Sequence, residues 1–210
     1  MIRAISWFCA DHCGALTPGS QSFSKTSPQV TSSNEMLALI GRPVKYFPRM
    51  TRESRSCLAA ASIALEVCGW KDTEFREIGL LAAGYEACLA ADQVYFSDYV
   101  AGGRSLGRGN LFIYTLPSST MGEIAIALGL RGPAVHIHDA HHPAQILIRH
   151  ARRLLEDGEA DGILALWSDS KAAVCFAVDG GAEHVNLSSL EWDQHPHEMA
   201  HALATMVQPT

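Results

Sequence analysis

Histidine and glutamate side chains near the carboxyl end of the sequence stand at a spacing that could bind zinc. The segment His197-Glu198-Met199-Ala200-His201 fits the pattern His-Glu-x-x-His. On a helix its two histidines would lie one turn apart and could hold Zn²⁺, with Glu198 as the general base of a hydrolase. The sequence offers no third ligand at the usual distance downstream. A zinc-dependent hydrolase is therefore an alternative interpretation, and an exposed helix is the default.

A second concentration of histidines lies at residues 136–142, which read His-Ile-His-Asp-Ala-His-His. His136 and His138 alternate along a predicted strand, so both would point to the same face. The group approaches the His-x-His-x-Asp-His pattern of metallo-β-lactamase-type hydrolases, but Asp139 stands one place early. Because such a motif depends on the spacing of its ligands, this group does not by itself predict a metal site.

The segment around these histidines has the layout of a strand that leads into a helix through a tight corner. Gly-Leu-Arg-Gly-Pro at residues 129–133 predicts a turn, and residues 134–139 are typical of a short buried strand. Apolar residues at helical spacing then predict a helix over residues 145–156. A strand, corner and helix in this order lift one side chain into a site at the helix N-terminus. Here that side chain belongs to His141.

This segment resembles the β-ketoacyl synthases of the thiolase-like fold, in which Gly-Leu-Arg-Gly-Pro precedes a strand that ends in Thr-Ala-Cys. Counted from Pro133, Asp139-Ala140-His141 falls on Thr-Ala-Cys, so His141 takes the place of the cysteine that attacks the acyl thioester. The resemblance covers about residues 48–178. Other segments that carry it are a long helix at residues 50–66, a strand at residues 77–84, Glu-Ile-Ala-Ile at residues 123–126 and Glu-Ala-Asp-Gly-Ile-Leu-Ala-Leu at residues 159–166.

The resemblance implies an α/β fold, namely half of a thiolase-like fold with a mostly parallel sheet and helices on both faces. Residues 1–182 would form this domain, and residues 183–210 would form a C-terminal tail with one helix. In the family, the strand before the nucleophile pairs across a dimer interface, and an exposed apolar edge invites a partner. The predicted dimer edge consists of Ala134, Val135, His136, Ile137 and His138.

Two departures from the family limit the activity that the resemblance implies. An imidazole replaces the thiolate, which is a strong nucleophile toward thioesters. The sequence is also about half as long as a full condensing enzyme, and no residue matches the two histidines of the family's second half. What remains resembles a chain-length factor. Such a protein is a non-elongating subunit of fatty-acid- or polyketide-type biosynthesis that pairs with an active ketosynthase and shapes the acyl site.

On this resemblance, His141 is the candidate catalytic residue, and Asp139, His142 and Pro143 are candidate pocket residues. The implied partners are a ketosynthase subunit or a second copy of this chain, and an acyl carrier protein. Neither a metal nor an organic cofactor is required. An independent acyl-thioester enzyme that uses His141, for example as a general base, is a further alternative.

Charge and hydropathy argue against several classes of protein. The net charge is −6 without a basic cluster, so nucleic-acid binding is not expected. Apolar residues make up 48% of the chain, and no run approaches the about 20 residues of a membrane span. No signal peptide is evident, so the expected compartment is a reducing cytoplasm. Candidate docking residues for an acidic carrier protein are Arg149, Arg152 and Arg153, or Arg104 and Arg108.

The six cysteines fit a reducing compartment. Cys9 and Cys13 flank His12, but no second pair of ligands follows, so a metal site is not predicted there. Four other cysteines lie in apolar segments and are expected to be small core residues. They are Cys57, Cys68, Cys88 and Cys175.

Local patterns predict the remaining elements. Residues 14–34, rich in Ser, Thr, Pro and Gly, are expected to form a loop or a poorly ordered segment. Thr51 is expected to cap a helix over residues 54–68, and Ser118 or Ser119 one over residues 121–128. Further strands are predicted at residues 2–9, 77–84, 163–167 and 171–178, the last two as a hairpin, and further helices at residues 86–99 and 196–207.

Overall fold

The structure is a computed structural model, and it describes residues 1–19, 22–28, 32–71, 77–84, 88–139, 141–182, 184–185 and 195–207. The strands are β1 (Ile2–Cys9), β2 (His12–Leu16), β3 (Phe23–Thr26), β4 (Ile78–Ala83), β5 (Ala134–Ile137), β6 (Gly162–Ser168) and β7 (Ala172–Asp179). The helices are α1 (Ser33–Ile40), α2 (Arg52–Val67), α3 (Leu89–Ala101), α4 (Gly109–Phe112), α5 (Pro117–Leu128), α6 (Pro143–Glu156) and α7 (Pro196–Met206). Short 3₁₀ turns lie at Phe47–Arg49 and Ile113–Thr115.

Alternate residues of the central strands enter two separate apolar cores. In β7, Cys175 faces the core that contains α1, α2 and α5, whereas Val174 and Phe176 face the core that contains α6 and α7. All of β7 is buried. A strand covered on both faces is apolar along its length, which is why residues 172–178 of β7 show no polar alternation. The predicted α/β class, with helices on both faces of the sheet, is confirmed.

The sheet is mixed, in the order β3-β2-β1-β7-β6-β4-β5, where the resemblance implied a mostly parallel one. β4 runs parallel to both β5 and β6. The pairs β1–β2, β2–β3, β1–β7 and β6–β7 are antiparallel. The predicted hairpin of β6 and β7 is confirmed, and Asp169 closes its turn by accepting the backbone N–H groups of Lys171 and Ala172 at 2.7 and 2.8 Å. Hairpins of this kind make one half of the sheet antiparallel.

The loop expected over residues 14–34 is wrong, because β2 and β3 occupy parts of it and α1 begins at its end. Gly14 lies opposite Trp7 in the β1–β2 pair. A Cβ at Gly14 would lie 2.5 Å from the Trp7 ring. Here glycine marks the close approach of an aromatic ring inside a sheet, not a turn. The short, polar β3 forms one edge of the sheet, and such strands resist further pairing.

The helix caps agree only in part with the sequence prediction. Thr51 caps α2 as expected, since its Oγ1 accepts the N–H of Ser54 at 3.1 Å. The cap predicted at Ser118 or Ser119 is wrong. α5 begins earlier, with Pro117 in its first turn and no side-chain cap. Proline is suited to a first helical turn because it has no N–H to leave unpaired and its φ is already helical.

β5 forms the other edge of the sheet, as predicted. Within the described residues it pairs with β4 alone, and it ends at Ile137, two residues before the end of the predicted strand, which was also expected to be buried. Ala134 and Val135 are exposed, whereas Ile137 is half-buried. This edge is therefore the least enclosed strand of the parallel half.

α7 confirms the helix predicted at residues 196–207 and packs on the sheet. Its Met199, Ala200 and Leu203 are buried in the core that β1 and β7 share. In the part of the chain that the structure describes, no single helix is long and apolar enough to cross a membrane. One pair of helical segments, Gly109–Thr115 and Pro117–Leu128, meets that test together on length and composition alone, but it is bent by 95°.

Candidate functional site

The turn before β5 places this strand against β4. A Cβ at Gly132 would lie 2.6 Å from the backbone nitrogen of Gly79, so only glycine lets the turn approach β4 this closely. The N–H of Gly132 donates to the carbonyl of Ile78 at 3.1 Å, and the N–H of Leu80 donates to that of Pro133 at 2.8 Å. These bonds fix the register in which β5 runs toward the predicted corner.

The predicted corner between β5 and α6 is organised by one carboxylate. Oδ1 of Asp139 accepts the backbone N–H groups of His142 at 2.7 Å and of His141 at 2.8 Å. These two donors favour the charged carboxylate and lower the pKa of Asp139. Pro143 begins α6 and is buried. Ala140, the middle residue of the Asp-Ala-His match, lies outside the described residues.

The structure places His141 at this corner, at the surface. Its ring lies 6.4 Å from that of His142, with the two planes tilted by 54°. Among the described residues, His141 forms a hydrogen bond through its backbone N–H, and no side chain or carbonyl forms one with its imidazole nitrogens. The imidazole can therefore meet a ligand or a partner chain without breaking a bond within the described structure.

A cavity of about 430 Å³ lies at the carboxyl ends of β4 and β6, beside the N-terminus of α2. Ligands of parallel α/β sheets bind in this position, beyond the carboxyl ends of the strands. Its lining is mainly apolar and includes Cys57, Val94, Leu111, Met121, Ile124 and Leu166. A cavity of this volume and character fits a small apolar ligand or an acyl chain.

The predicted pocket residues lie elsewhere. The described lining of this cavity does not include Asp139, His142 or Pro143, nor His141. One residue of the predicted dimer edge does line it, because His136 faces the cavity from β5. Burial lowers the pKa of His136, and a charge on His138 would lower it further. A neutral imidazole can accept a hydrogen bond or a proton inside the cavity.

Polar groups on the cavity wall come from elements that are far apart in the sequence. The hydroxyl of Ser168, at the end of β6, donates to Oε1 of Glu53 in the first turn of α2 at 2.8 Å. The hydroxyl of Tyr114 donates to Oε1 of Glu123 at 2.8 Å. Burial raises the pKa of Glu123, and burial together with this carboxylate raises the pKa of Tyr114. Ser168 lies at the end of a predicted strand, and Glu53 lies in the first turn of α2. These positions were the available sequence signals, but neither residue was predicted to belong to a site.

Two thiols line the cavity, and neither is activated. Burial is the largest cause that raises the pKa of Cys57 to about 12 and that of Cys88 to about 11. The thiolate is the attacking species, and at neutral pH such groups carry almost none of it. The expected buried positions of Cys57, Cys68 and Cys175 are confirmed, whereas Cys88 is only partly buried.

The His-Glu-x-x-His residues do not face one another as a catalytic zinc site would require. Oε2 of Glu198 accepts the N–H of His195 at 3.0 Å and thereby caps α7. Nδ1 of His197 lies 3.0 Å from Oδ2 of Asp169, in the β6–β7 turn. The ring of His201 lies 4.6 Å from that of His12. Each side chain of the motif therefore has a different neighbour.

The arginines proposed to dock a carrier protein lie on two surfaces. Arg149, Arg152 and Arg153 line a shallow groove along α6. The Arg153 guanidinium lies 3.5 Å from Asp157. Arg108 lies 3.5 Å from Asp98 of α3, so part of its charge is already compensated.

The arrangement of helices on both faces of a seven-stranded sheet, with the corner after β5, defines the thiolase-like ketosynthase fold. The N-terminal domain of β-ketoacyl synthases matches residues 38–172, well over half of the chain. The chain therefore belongs to the β-ketoacyl synthase family. A search of curated proteins by sequence finds no match.

Solved structures agree with this assignment of the fold. A ketosynthase in complex with its chain length factor from Xenorhabdus doucetiae is 12% identical, with a TM-score of 0.53 over 84% of this chain and 80% of that chain. The ishigamide ketosynthase/chain length factor is 12% identical, with a TM-score of 0.58 over 86% of this chain and 62% of that chain. A type II PKS acyl-carrier protein in complex with its ketosynthase bound to the hexaketide is 12% identical, with a TM-score of 0.51 over 83% and 62%.

Proposed function

We propose that this chain is a non-elongating, ketosynthase-like subunit of polyketide- or fatty-acid-type biosynthesis that pairs with an active ketosynthase and shapes its acyl site. The observation that carries the proposal is the apolar cavity of about 430 Å³ at the carboxyl ends of β4 and β6, in a chain of the β-ketoacyl synthase family. A cavity of this kind can enclose acyl methylenes, each of which contributes about 0.8 kcal/mol on burial.

The thiol chemistry favours a role without elongation. Condensation by a cysteine requires a thiolate, and burial keeps the pKa of Cys57 and Cys88 far above neutrality. The corner where the family would place its cysteine holds His141 instead. The proposed role needs no metal and no organic cofactor.

The surface around β5 favours a partner chain. The outer edge of β5 has unpaired backbone groups within the described structure, and Val135 on this strand is 43% exposed. Large apolar side chains are also exposed on the chain from α3 to α5, of which α5 contacts β5. They are Leu89, Val94, Phe96, Val100, Leu106, Phe112, Ile113, Leu116 and Ile126. An open sheet edge and exposed apolar side chains are each typical of a protein interface.

Carrier-bound substrates would arrive from outside the cavity. We propose that an acidic acyl carrier protein docks on the arginines of α6, because Arg149, Arg152 and Arg153 line one groove. A cytoplasmic location is part of the same proposal, and fractionation of cell extracts would test it.

Co-expression with a ketosynthase from the same genomic neighbourhood tests the pairing. The two should co-purify, and the Val135→Glu variant, which places a charge on the β5 edge, should lose the complex. Met206→Glu is the matched control, since Met206 is 38% exposed on α7, away from β5. The pairing proposal fails if the wild-type chains do not co-purify or if both variants lose the complex equally.

Activity of the isolated chain tests the alternative of an independent enzyme. Because the His141 imidazole is unengaged within the described structure, it could act as a general base on an acyl thioester. The subunit proposal expects no turnover of malonyl or acyl thioesters by this chain alone. Turnover that is lost in His141→Ala would establish the independent enzyme instead.

A further inference from the structure

Potential metal ligands converge at the β1–β2 turn, on the other half of the sheet from β5. Cys9 ends β1, His12 begins β2, and Asp11 lies in the turn between them. One ligand atom from each of these residues lies within 4.8 Å of the others. Cys9 is 5% exposed and the His12 side chain 14%, so two of the three groups are enclosed. Within the described residues this is the one such group of three.

The distance between the sulfur and the imidazole suits a zinc ion. Sγ of Cys9 lies 3.8 Å from Nε2 of His12. Zinc bonds of about 2.3 Å to sulfur and about 2.0 Å to nitrogen, at a tetrahedral angle, separate the two ligand atoms by roughly 3.6 Å. The side chains would therefore need to move by only a few tenths of an ångström.

The other nitrogen of His12 is oriented as in many zinc sites. Nδ1 of His12 lies 2.7 Å from Oδ1 of Asp11. When Nδ1–H donates to this carboxylate, Nε2 presents a lone pair. That lone pair then faces the sulfur of Cys9 and the carbonyl oxygen of Ala200, which is 3.3 Å away. Without a metal, the Cys9 thiol can donate a weak hydrogen bond to this lone pair. A cation would take the place of that proton, and a carboxylate behind a ligating histidine is the usual second partner.

α7 supplies a further imidazole. The ring of His201 lies 4.6 Å from the ring of His12, with the planes tilted by 31°. His201 is exposed, so its side chain can rotate without disturbing the core. Its neighbour His197 is turned away toward Asp169 in the β6–β7 turn. One histidine of the His-Glu-x-x-His segment thus lies beside His12 but outside the group of three, and it would reach a shared ion only after its side chain rotates, whereas the other faces Asp169.

We propose that Cys9, His12 and His201 bind one Zn²⁺ ion, with Asp11 orienting His12 and water completing the coordination. The ion would join α7 to the β1–β2 turn and act as a structural staple outside the cavity. Thiolate and imidazole ligands select a borderline-soft cation such as zinc over Mg²⁺ or Ca²⁺.

The surrounding charges are compatible with this cation. The carboxylates of Asp11 and Asp169 are the negative groups near Cys9. Negative neighbours oppose a thiolate anion but attract a divalent cation. Binding would replace the proton of the Cys9 thiol by the metal and release that proton to solvent, so one proton leaves for each sulfur–zinc bond that forms.

Cobalt and zinc titrations of the full-length, chelator-treated protein test the site. Co²⁺ should give a thiolate-to-cobalt charge-transfer absorption that one equivalent of Zn²⁺ abolishes. Cys9→Ala should lose this absorption. His201→Gln, at an exposed position, should weaken Zn²⁺ binding by about tenfold or more, since one ligand is lost. Zn²⁺ should raise the Tm of the wild type and not that of His201→Gln.

Two control variants distinguish this site from binding by surface histidines and from binding by the His-Glu-x-x-His pair. His150→Gln changes an exposed histidine of α6 and should leave zinc affinity unchanged. His197→Gln should also leave it unchanged, because His197 is not a ligand in the proposed site. Equal losses in His197→Gln and His201→Gln would instead indicate the His-Glu-x-x-His pair and overturn the proposal. Absence of the charge-transfer absorption in a wild-type protein that is folded by circular dichroism would overturn it as well.

Discussion

The two halves of the sheet differ in how completely one chain encloses them. β7 in the antiparallel half is buried at all eight positions, whereas β5 in the parallel half begins with two exposed residues. Their histidines differ in the same way: His12 is enclosed and bonded to Asp11, and His141 is exposed with an unengaged ring within the described structure. The antiparallel half thus contains the most enclosed strand and ends in the short polar edge β3, while the parallel half keeps a more apolar edge and a cavity.

The largest effect expected from this difference concerns stability. Phe176→Ala in β7 should lower the free energy of unfolding by about 3–5 kcal/mol, because it removes a fully buried aromatic side chain and leaves a cavity. Val135→Ala in β5 should change it by less than about 0.5 kcal/mol. Urea denaturation of the isolated chain measures both. Equal losses would show that β5 is as enclosed as β7 and would remove the contrast.

A smaller change in free energy is expected for the binding of an acyl chain to the cavity in the parallel half. Ala91→Trp places a large side chain in the cavity wall and should exclude about two methylenes of a fluorescent long-chain acyl probe. The loss of about 1.6 kcal/mol corresponds to roughly tenfold weaker binding. Ala101→Trp, at the exposed end of α3, is the matched control and should bind the probe normally. If both variants bind like the wild type, the acyl chain does not enter this cavity.

A loss of stability of about 1 kcal/mol is expected from the cap of the helix beside the cavity. Thr51→Ala removes the oxygen that accepts the N–H of Ser54. Ser118→Ala, at the cap position that the sequence suggested for α5, should have almost no effect, since α5 has no side-chain cap. Thermal unfolding distinguishes the two. A loss in Ser118→Ala comparable to that in Thr51→Ala would contradict the observed start of α5.

The smallest expected effect is on how the free energy of unfolding depends on pH. Burial raises the folded-state pKa of Glu123 above its ordinary value of 4.5, so the folded protein holds this proton to higher pH than the unfolded chain. The free energy of unfolding should therefore fall as pH rises from 4.5 through the folded-state pKa. Glu123→Gln removes this titrating group and still offers an oxygen to Tyr114, so it should flatten that slope. The change should be slight, because partial exposure screens the charge. Parallel stability profiles of variant and wild type would contradict this assignment.

The sequence predicted the elements whose patterns are local. Continuous apolar runs indicated β1, β4, β6 and β7, and helical spacing indicated α6 and α7, all of which the structure contains. The corner between β5 and α6 was predictable from Gly-Leu-Arg-Gly-Pro and the Asp139 that follows it. Each of these signals resides within a few consecutive residues.

The cavity and the strand pairings other than the β6–β7 hairpin were not predictable in this way. Glu53 and Ser168 meet across 115 residues of sequence, and no local pattern connects them. β2 was missed because Gly14 has a turn-like identity, although the Trp7 ring explains it. The sequence placed His136 in an interface because of its position on an edge strand. Its place in the cavity wall could not be predicted, because the cavity forms only when α2, α3 and α5 cover one face of the sheet.

The side chain of Asp169 connects both halves of the molecule through one short turn. Its Oδ1 closes the turn between β6 and β7, and its Oδ2 lies 3.0 Å from Nδ1 of His197 on α7. Both flanking residues, Ser168 and Ser170, line the acyl cavity. A shift of α7 would therefore act on the cavity wall through a single carboxylate, so the position of the last helix and the shape of the cavity are coupled.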